Sequence, residues 1–132
     1  MLKKTITYTD YNNNERTEDF YFHLNKAELL EMELSVDGGM TTKVRRIAAA
    51  QSAPEMMAIW KDILLKSYGV KSDDGKRFIK NQELRDAFEQ SEAYSVLFTE
   101  LAMDTDAAIA FVKGVMPVDI SDEQLNAAMA AI

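Results

Sequence analysis

Leu2-Lys3-Lys4-Thr5-Ile6-Thr7-Tyr8-Thr9, Phe20-Tyr21-Phe22-His23-Leu24 and the adjoining Asn25-Lys26-Ala27-Glu28 decide the fold class. In the first run Leu2, Lys4, Ile6 and Tyr8 share one face of a strand. In the second, Phe20, Phe22 and Leu24 do the same. Between the runs, Asp10-Tyr11-Asn12-Asn13-Asn14-Glu15 is rich in residues that tolerate turn geometry, so the pair reads as a β-hairpin. At Asn25 the period of two ends. Asn25 is placed to cap a helix, with Glu28 three residues on as its reciprocal partner. A lone hairpin is marginal in water, so its apolar face must pack on the helices that follow. The expected class is α+β, mostly helical, with an N-terminal hairpin.

Outward from there, the first helix carries Ala27, Leu30 and Leu34 with Leu29 and Met32, and stops before Asp37-Gly38-Gly39. A second segment runs from about Thr41 to Gln51. Ser52, Pro54 and Glu55 then form a start signal with a capping box, followed by Met56, Ile59, Trp60, Ile63 and Leu64 at helical spacing. Gly69 is expected to end that helix. Val70 to Ile79 reads as a loop with a turn at Asp74-Gly75, a pair suited to a short hairpin. Helical pattern resumes at Asn81, with a break near Gln90-Ser91. Asp104 is expected to cap a helix that Gly114 ends and Pro117 keeps from continuing. A last helix follows Ser121, with an apolar stripe of Leu125, Ala128, Met129 and Ile132. The expected organisation is one domain over 1–132: hairpin 1–24, helical body 25–117, C-terminal amphipathic helix 118–132.

The chain has 132 residues, enough to bury roughly two thirds of its unfolded surface without a metal or disulfide. It contains no cysteine. No apolar stretch is long enough for a signal peptide or a membrane span, so a soluble protein is expected. Its formal charge is −7, with 22 acidic residues against 15 basic, which argues against nucleic acid as a partner. The two basic groups, Lys43, Arg45 and Arg46, then Lys76, Arg77 and Lys80, read as solvated faces.

Reactive chemistry finds little support. His23 is the one histidine and is expected on the outer face of the second strand, where it anchors no zinc site. Every serine fits a cap or turn, so no nucleophile–base pair stands out. Asp73-Asp74-Gly75 lacks the further oxygen ligands of a calcium loop. Asp104, Asp106, Asp119, Asp122 and Glu123 sit at expected helix starts, where the dipole favours negative charge. No enzyme activity, cofactor or metal is expected. Methionine is over-used on surfaces that accept varied apolar partners. Met56 and Met57 point about 100° apart on a helix and cannot both face the centre of a narrow stripe. Met56, Met57 and Trp60 are therefore candidate contacts for a partner helix. Leu125, Met129 and Ile132 join them, with self-association as a further use of that stripe.

Thr5-Ile6-Thr7-Tyr8-Thr9-Asp10-Tyr11, Phe20-Tyr21-Phe22 and Leu24-Asn25-Lys26-Ala27-Glu28-Leu29 resemble the tail assembly chaperones of long-tailed bacteriophages. So do Ile63-Leu64-Leu65-Lys66-Ser67-Tyr68-Gly69, Ser72-Asp73-Asp74-Gly75-Lys76-Arg77-Phe78, Leu84-Arg85-Asp86-Ala87-Phe88 and Ser91-Glu92-Ala93-Tyr94. The likeness covers roughly residues 1 to 117. It implies a non-virion protein of the host cytoplasm that binds the tape-measure protein and keeps it soluble until tail-tube subunits assemble around it. It also implies a tail-tube partner and a longer frameshifted form of the chain. It supplies no binding residues. The alternatives are a structural virion protein of the tail or head-tail junction, a phage regulator that binds a host protein, and a small hydrolase.

Overall fold

The computed structural model describes residues 1–117. The hairpin forms as the alternation requires. Strand β1 (Leu2–Thr9) pairs antiparallel with β2 (Glu15–Phe22), Leu2 opposite Phe22 and Thr9 opposite Glu15. Its turn is organised by Asp10, whose Oδ1 accepts the amides of Asn12 (2.9 Å) and Asn14 (3.0 Å) and whose Oδ2 accepts Arg16 Nε (2.6 Å). The Arg16 guanidinium, with those amides, holds the Asp10 carboxyl below its ordinary range.

Six helices follow among the described residues: α1 (Lys26–Leu34), α2 (Met40–Ala50), α3 (Ala53–Ser67), α4 (Gln82–Glu89), α5 (Glu92–Met103) and α6 (Thr105–Val115). Two short strands, β3 (Tyr68–Lys71) and β4 (Phe78–Ile79), lie between α3 and α4. They form the hairpin that Asp74-Gly75 suggested, with Gly75 at a left-handed φ of 73°. β3 also pairs with β2 through Gly69–Tyr21 and Tyr68–Phe22, which makes one antiparallel sheet in the order β1-β2-β3-β4. The α+β class and the leading hairpin stand.

Polar starts account for most helix boundaries. Asn25 and Glu28 form the full capping box, with the Glu28 amide on Asn25 Oδ1 at 2.8 Å and the Asn25 amide on Glu28 Oε1 at 3.0 Å. Asn81, Ser91 and Asp104 each accept an amide three residues on. Ser52 departs from expectation. It sits at the N-cap of α3 but its side chain makes no capping bond, and Pro54 supplies the preset first turn.

Two glycines also depart. The C-cap of α3 is Tyr68 in extended conformation, so helix runs directly into strand and Gly69 lies inside β3. Gly114 lies within α6 rather than after it, because Leu2 packs so close that a Cβ there would stand 2.9 Å from the leucine Cδ1.

The core lies between the inner sheet face and helices α3 to α6. Ile6 and Phe22 from the hairpin meet Trp60 and Leu64 of α3, Phe88 of α4, Leu97 of α5 and Phe111 of α6. Lys4 pairs with Glu100 at 3.7 Å and Tyr11 donates to Glu92 at 2.9 Å, so the hairpin lies along α5. The link after β2 is held twice: the His23 amide donates to the Ser67 carbonyl (2.7 Å) and the Leu24 amide to the Val115 carbonyl (2.8 Å). By contrast α1 has no buried residue, and Val44 and Ile47 of α2 are buried outside the main cluster.

Candidate partner-binding surface

The expected contact residues separate. Trp60 is only 5 % exposed and its ring meets Phe111 edge-on at 5.9 Å, so it belongs to the core. Met56, one turn earlier on the same side, is half-buried, while Met57 is exposed at 46 %. The 100° argument thus sorts the two methionines, but it gives Met57 no tryptophan neighbour on the surface. Leu125, Met129 and Ile132 lie outside the described residues.

The larger apolar exposure is on α1. Leu30 and Leu34, two of the apolar positions named above for the first helix, are 55 % and 74 % exposed. Helical geometry explains the difference. Leu29 and Met32 pack toward the core, and Leu30 and Leu34 fall on another side of a nine-residue helix. Their i, i+4 spacing makes them one patch. Burial of two leucines on a partner would contribute roughly 1.5–3 kcal/mol each.

On the opposite side, α1 lines an open pocket of about 240 Å³. Glu28, Glu31, Met32 and Ser35 come from α1 and its C-cap, Leu24 from the link, Lys66 from α3 and Arg85 from α4. Most of the charges are already engaged. Glu28 accepts Lys80 Nζ at 2.5 Å while also serving the helix cap, and Lys66 pairs with Asp62 at 2.9 Å. Arg85 Nε is buried with no hydrogen-bond partner.

Lys80 is not the solvated residue expected of a basic run. Its ammonium donates to the His23 carbonyl (2.6 Å) as well as to Glu28, and burial lowers its pKa against the pull of that carboxylate. His23 lies in the link just beyond β2 rather than within the strand. It is half-buried, with Nδ1 enclosed and unpartnered. Burial is the main cause that lowers its pKa from 6.5, aided by the N-terminal amine and Lys80 and opposed by Glu28.

A depressed histidine pKa means that the unfolded chain binds a proton more readily than the folded one. The stability His23 contributes is therefore present above pH 6.5 and is lost as pH falls through the lower folded value. The melting temperature should drop between about pH 7.5 and 5.5, and His23→Gln should flatten that slope. Equal slopes in both proteins would show that the imidazole is not sheltered.

Among the described residues no cluster of three or more His, Cys, Asp or Glu could hold a metal ion. No helix among them is long and apolar enough to cross a membrane. The described surface thus carries an exposed leucine pair on α1, an exposed methionine on α3 and an open mixed-charge pocket beside α1. Comparison with known families narrows the class. A family model described as phage tail assembly chaperone matches residues 1–131, and the chain belongs to that family. Comparison with individual curated proteins and with solved structures found no match.

Proposed function

We propose that the chain binds the long helical tape-measure protein of the phage tail, keeps it in solution, and leaves it as tail-tube subunits assemble. The observation that carries this reading is the Leu30–Leu34 patch on a helix that buries none of its own residues. A tape-measure protein without its tube exposes apolar helix faces, and an i, i+4 leucine pair suits such a face. Many copies, each bound weakly, give avidity while every contact stays releasable. The −7 charge keeps the loaded particle dispersed. Met57 extends the exposed apolar surface, and the stripe of Leu125, Met129 and Ile132 adds partner contact or self-association.

The chain acts as one domain, by contact rather than catalysis, in the cytoplasm of the infected host. It does not remain in the finished particle. Tail-tube protein and a longer frameshifted form of the chain are further partners.

Co-expression with the tape-measure protein tests the reading. The wild-type chain should raise soluble tape-measure protein at least tenfold, and the double variant Leu30→Glu/Leu34→Glu should lose that gain. Both sites are exposed, so the variant itself should stay within about 0.5 kcal/mol of wild-type stability. Equal solubility with and without the chain ends the proposal. Stoichiometric recovery of the chain from purified particles would favour a structural virion protein instead.

A further inference from the structure

We infer that β1 pairs with β1 of a second copy of this chain, antiparallel about a two-fold axis at Ile6. The two sheets then run on as one, and the two α5 helices meet beside the joint.

β1 is an outer strand of the sheet, and among the described residues no strand pairs with its free side. Its pairing with β2 runs unbroken over eight residues, with no proline and no bulge. Such an edge offers a row of amides and carbonyls to another strand, and proteins usually blunt it with a proline, a bulge or charge. Lys3 and Lys4 are the charges on this one, and Lys4 is drawn off to Glu100 of α5 at 3.7 Å.

The helix beside the edge is uncovered in the same direction. α5 packs over β1. Glu92, Val96, Glu100 and Met103 fall on one side of it, at i, i+4, i+8 and i+11. Tyr11 reaches Glu92 at 2.9 Å and Lys4 reaches Glu100, so that side looks toward the edge strand. Between and beyond these ties, Val96 is 40 % and Met103 83 % exposed. Covering an open strand edge and the apolar pair beside it takes a partner that brings a strand and a helix together. A second copy brings both.

Charge and register select the same partner. β1 carries two lysines and no carboxylate, whereas α5 carries Glu92 and Glu100 and no basic residue. The joint therefore holds both signs rather than one. Across a two-fold axis in an antiparallel pair, only positions of equal parity face each other. An axis at Ile6 sets Thr5 against Thr7, Lys4 against Tyr8 and Lys3 against Thr9, and it opposes no two lysines. An axis at Thr5 would set Lys4 against the buried Ile6, and one at Thr7 would leave Leu2, Lys3 and Lys4 beyond the partner strand. Parallel pairing in register would stack lysine on lysine. Closed two-fold dimers are the commonest assembly of soluble chains. The tape-measure contact uses Leu30 and Leu34 instead, so either can fail without the other.

Sedimentation equilibrium of the purified chain over a concentration series should show monomer and dimer. Thr9→Glu places a carboxylate opposite Lys3 of the second copy, twice about the axis, and should tighten the dimer about fivefold. Thr9→Lys should loosen it about fivefold, and Lys3→Glu/Thr9→Lys should restore it. Within one chain Thr9 faces Glu15, so a lysine there favours the hairpin and a glutamate disfavours it. An effect exerted through folding would therefore follow the reverse order. Val96→Gln/Met103→Gln should loosen the dimer at least tenfold while leaving the monomer folded, since both sites are exposed. A chain that stays monomeric overturns the inference. So does association that ignores Thr9, follows the reverse order or is indifferent to Val96→Gln/Met103→Gln.

Discussion

Phe22→Ala should lower the stability of the chain by about 3–5 kcal/mol, the usual range for emptying a buried aromatic site. The ring is fully buried and stands where four elements meet. It approaches Tyr68 of β3 at 5.8 Å, Phe88 of α4 at 5.7 Å and Phe111 of α6 at 5.2 Å, the last two edge-on. Edge-to-face pairs add roughly 0.5–1.5 kcal/mol beyond area burial. The cavity would be hard to close, because neighbours on a strand and two helices cannot all shift inward together. Set against a total of about 5–15 kcal/mol for a protein of ordinary stability, this is a large fraction. At about 3–5 °C per kcal/mol, the melting temperature should fall by about 9–25 °C. Denaturant midpoints give the free energy directly, with Met103→Ala, at an exposed site, as the control within about 0.5 kcal/mol. A loss below about 1 kcal/mol for Phe22→Ala would mean that the ring is not the centre of the core.

Phe22 was legible because a strand alternates with a fixed period and few residues can be misassigned. The same holds for Asn25 with Glu28 and for Asp104, where a side-chain oxygen satisfies an amide a set distance away. These signals are local, so sequence alone carries them. What was not legible depended on partners distant in sequence. Lys80 looks like one more member of a basic run until Glu28, 52 residues earlier, is seen to accept it. His23 follows the strand alternation, yet its Nδ1 is enclosed where the link after β2 is tied to Ser67 and Val115.

The surface was harder to read than the core. Leu30 and Leu34 have the composition of an inward stripe, and only the direction of neighbouring helices decides which side of α1 is covered. Trp60 gives the opposite lesson: its bulk marks it equally as core or as anchor, and Phe111 of α6 decides for the core. Arg85 carried no sequence signal, since an arginine in a helix is ordinary until its Nε is found enclosed without an acceptor.

Gly69→Ala should cost about 1–3 kcal/mol, and the reason separates two roles a glycine can have near a helix end. A glycine at a helix C-cap serves through its left-handed backbone. Gly69 has no such φ; it pairs with Tyr21 within the sheet, and its hydrogen faces the β3–β4 hairpin. A Cβ there would stand 2.8 Å from Phe78 Cε2 and 2.9 Å from the Ile79 carbonyl oxygen. The ring can turn away, but the carbonyl is fixed backbone of β4, so relief requires the strand pair to part. Reduced freedom of the unfolded chain offsets about 0.4–1 kcal/mol of the penalty. The contact wins because an atom at 2.9 Å from a backbone oxygen has no low-energy alternative. The role of Phe78 can be isolated by a double-mutant cycle. Gly69→Ala in a Phe78→Ala background should lose less than in wild type, with a coupling of about 0.5–3 kcal/mol. A capping glycine would be indifferent to Phe78, so zero coupling together with a full penalty would restore the role that the sequence first suggested for Gly69.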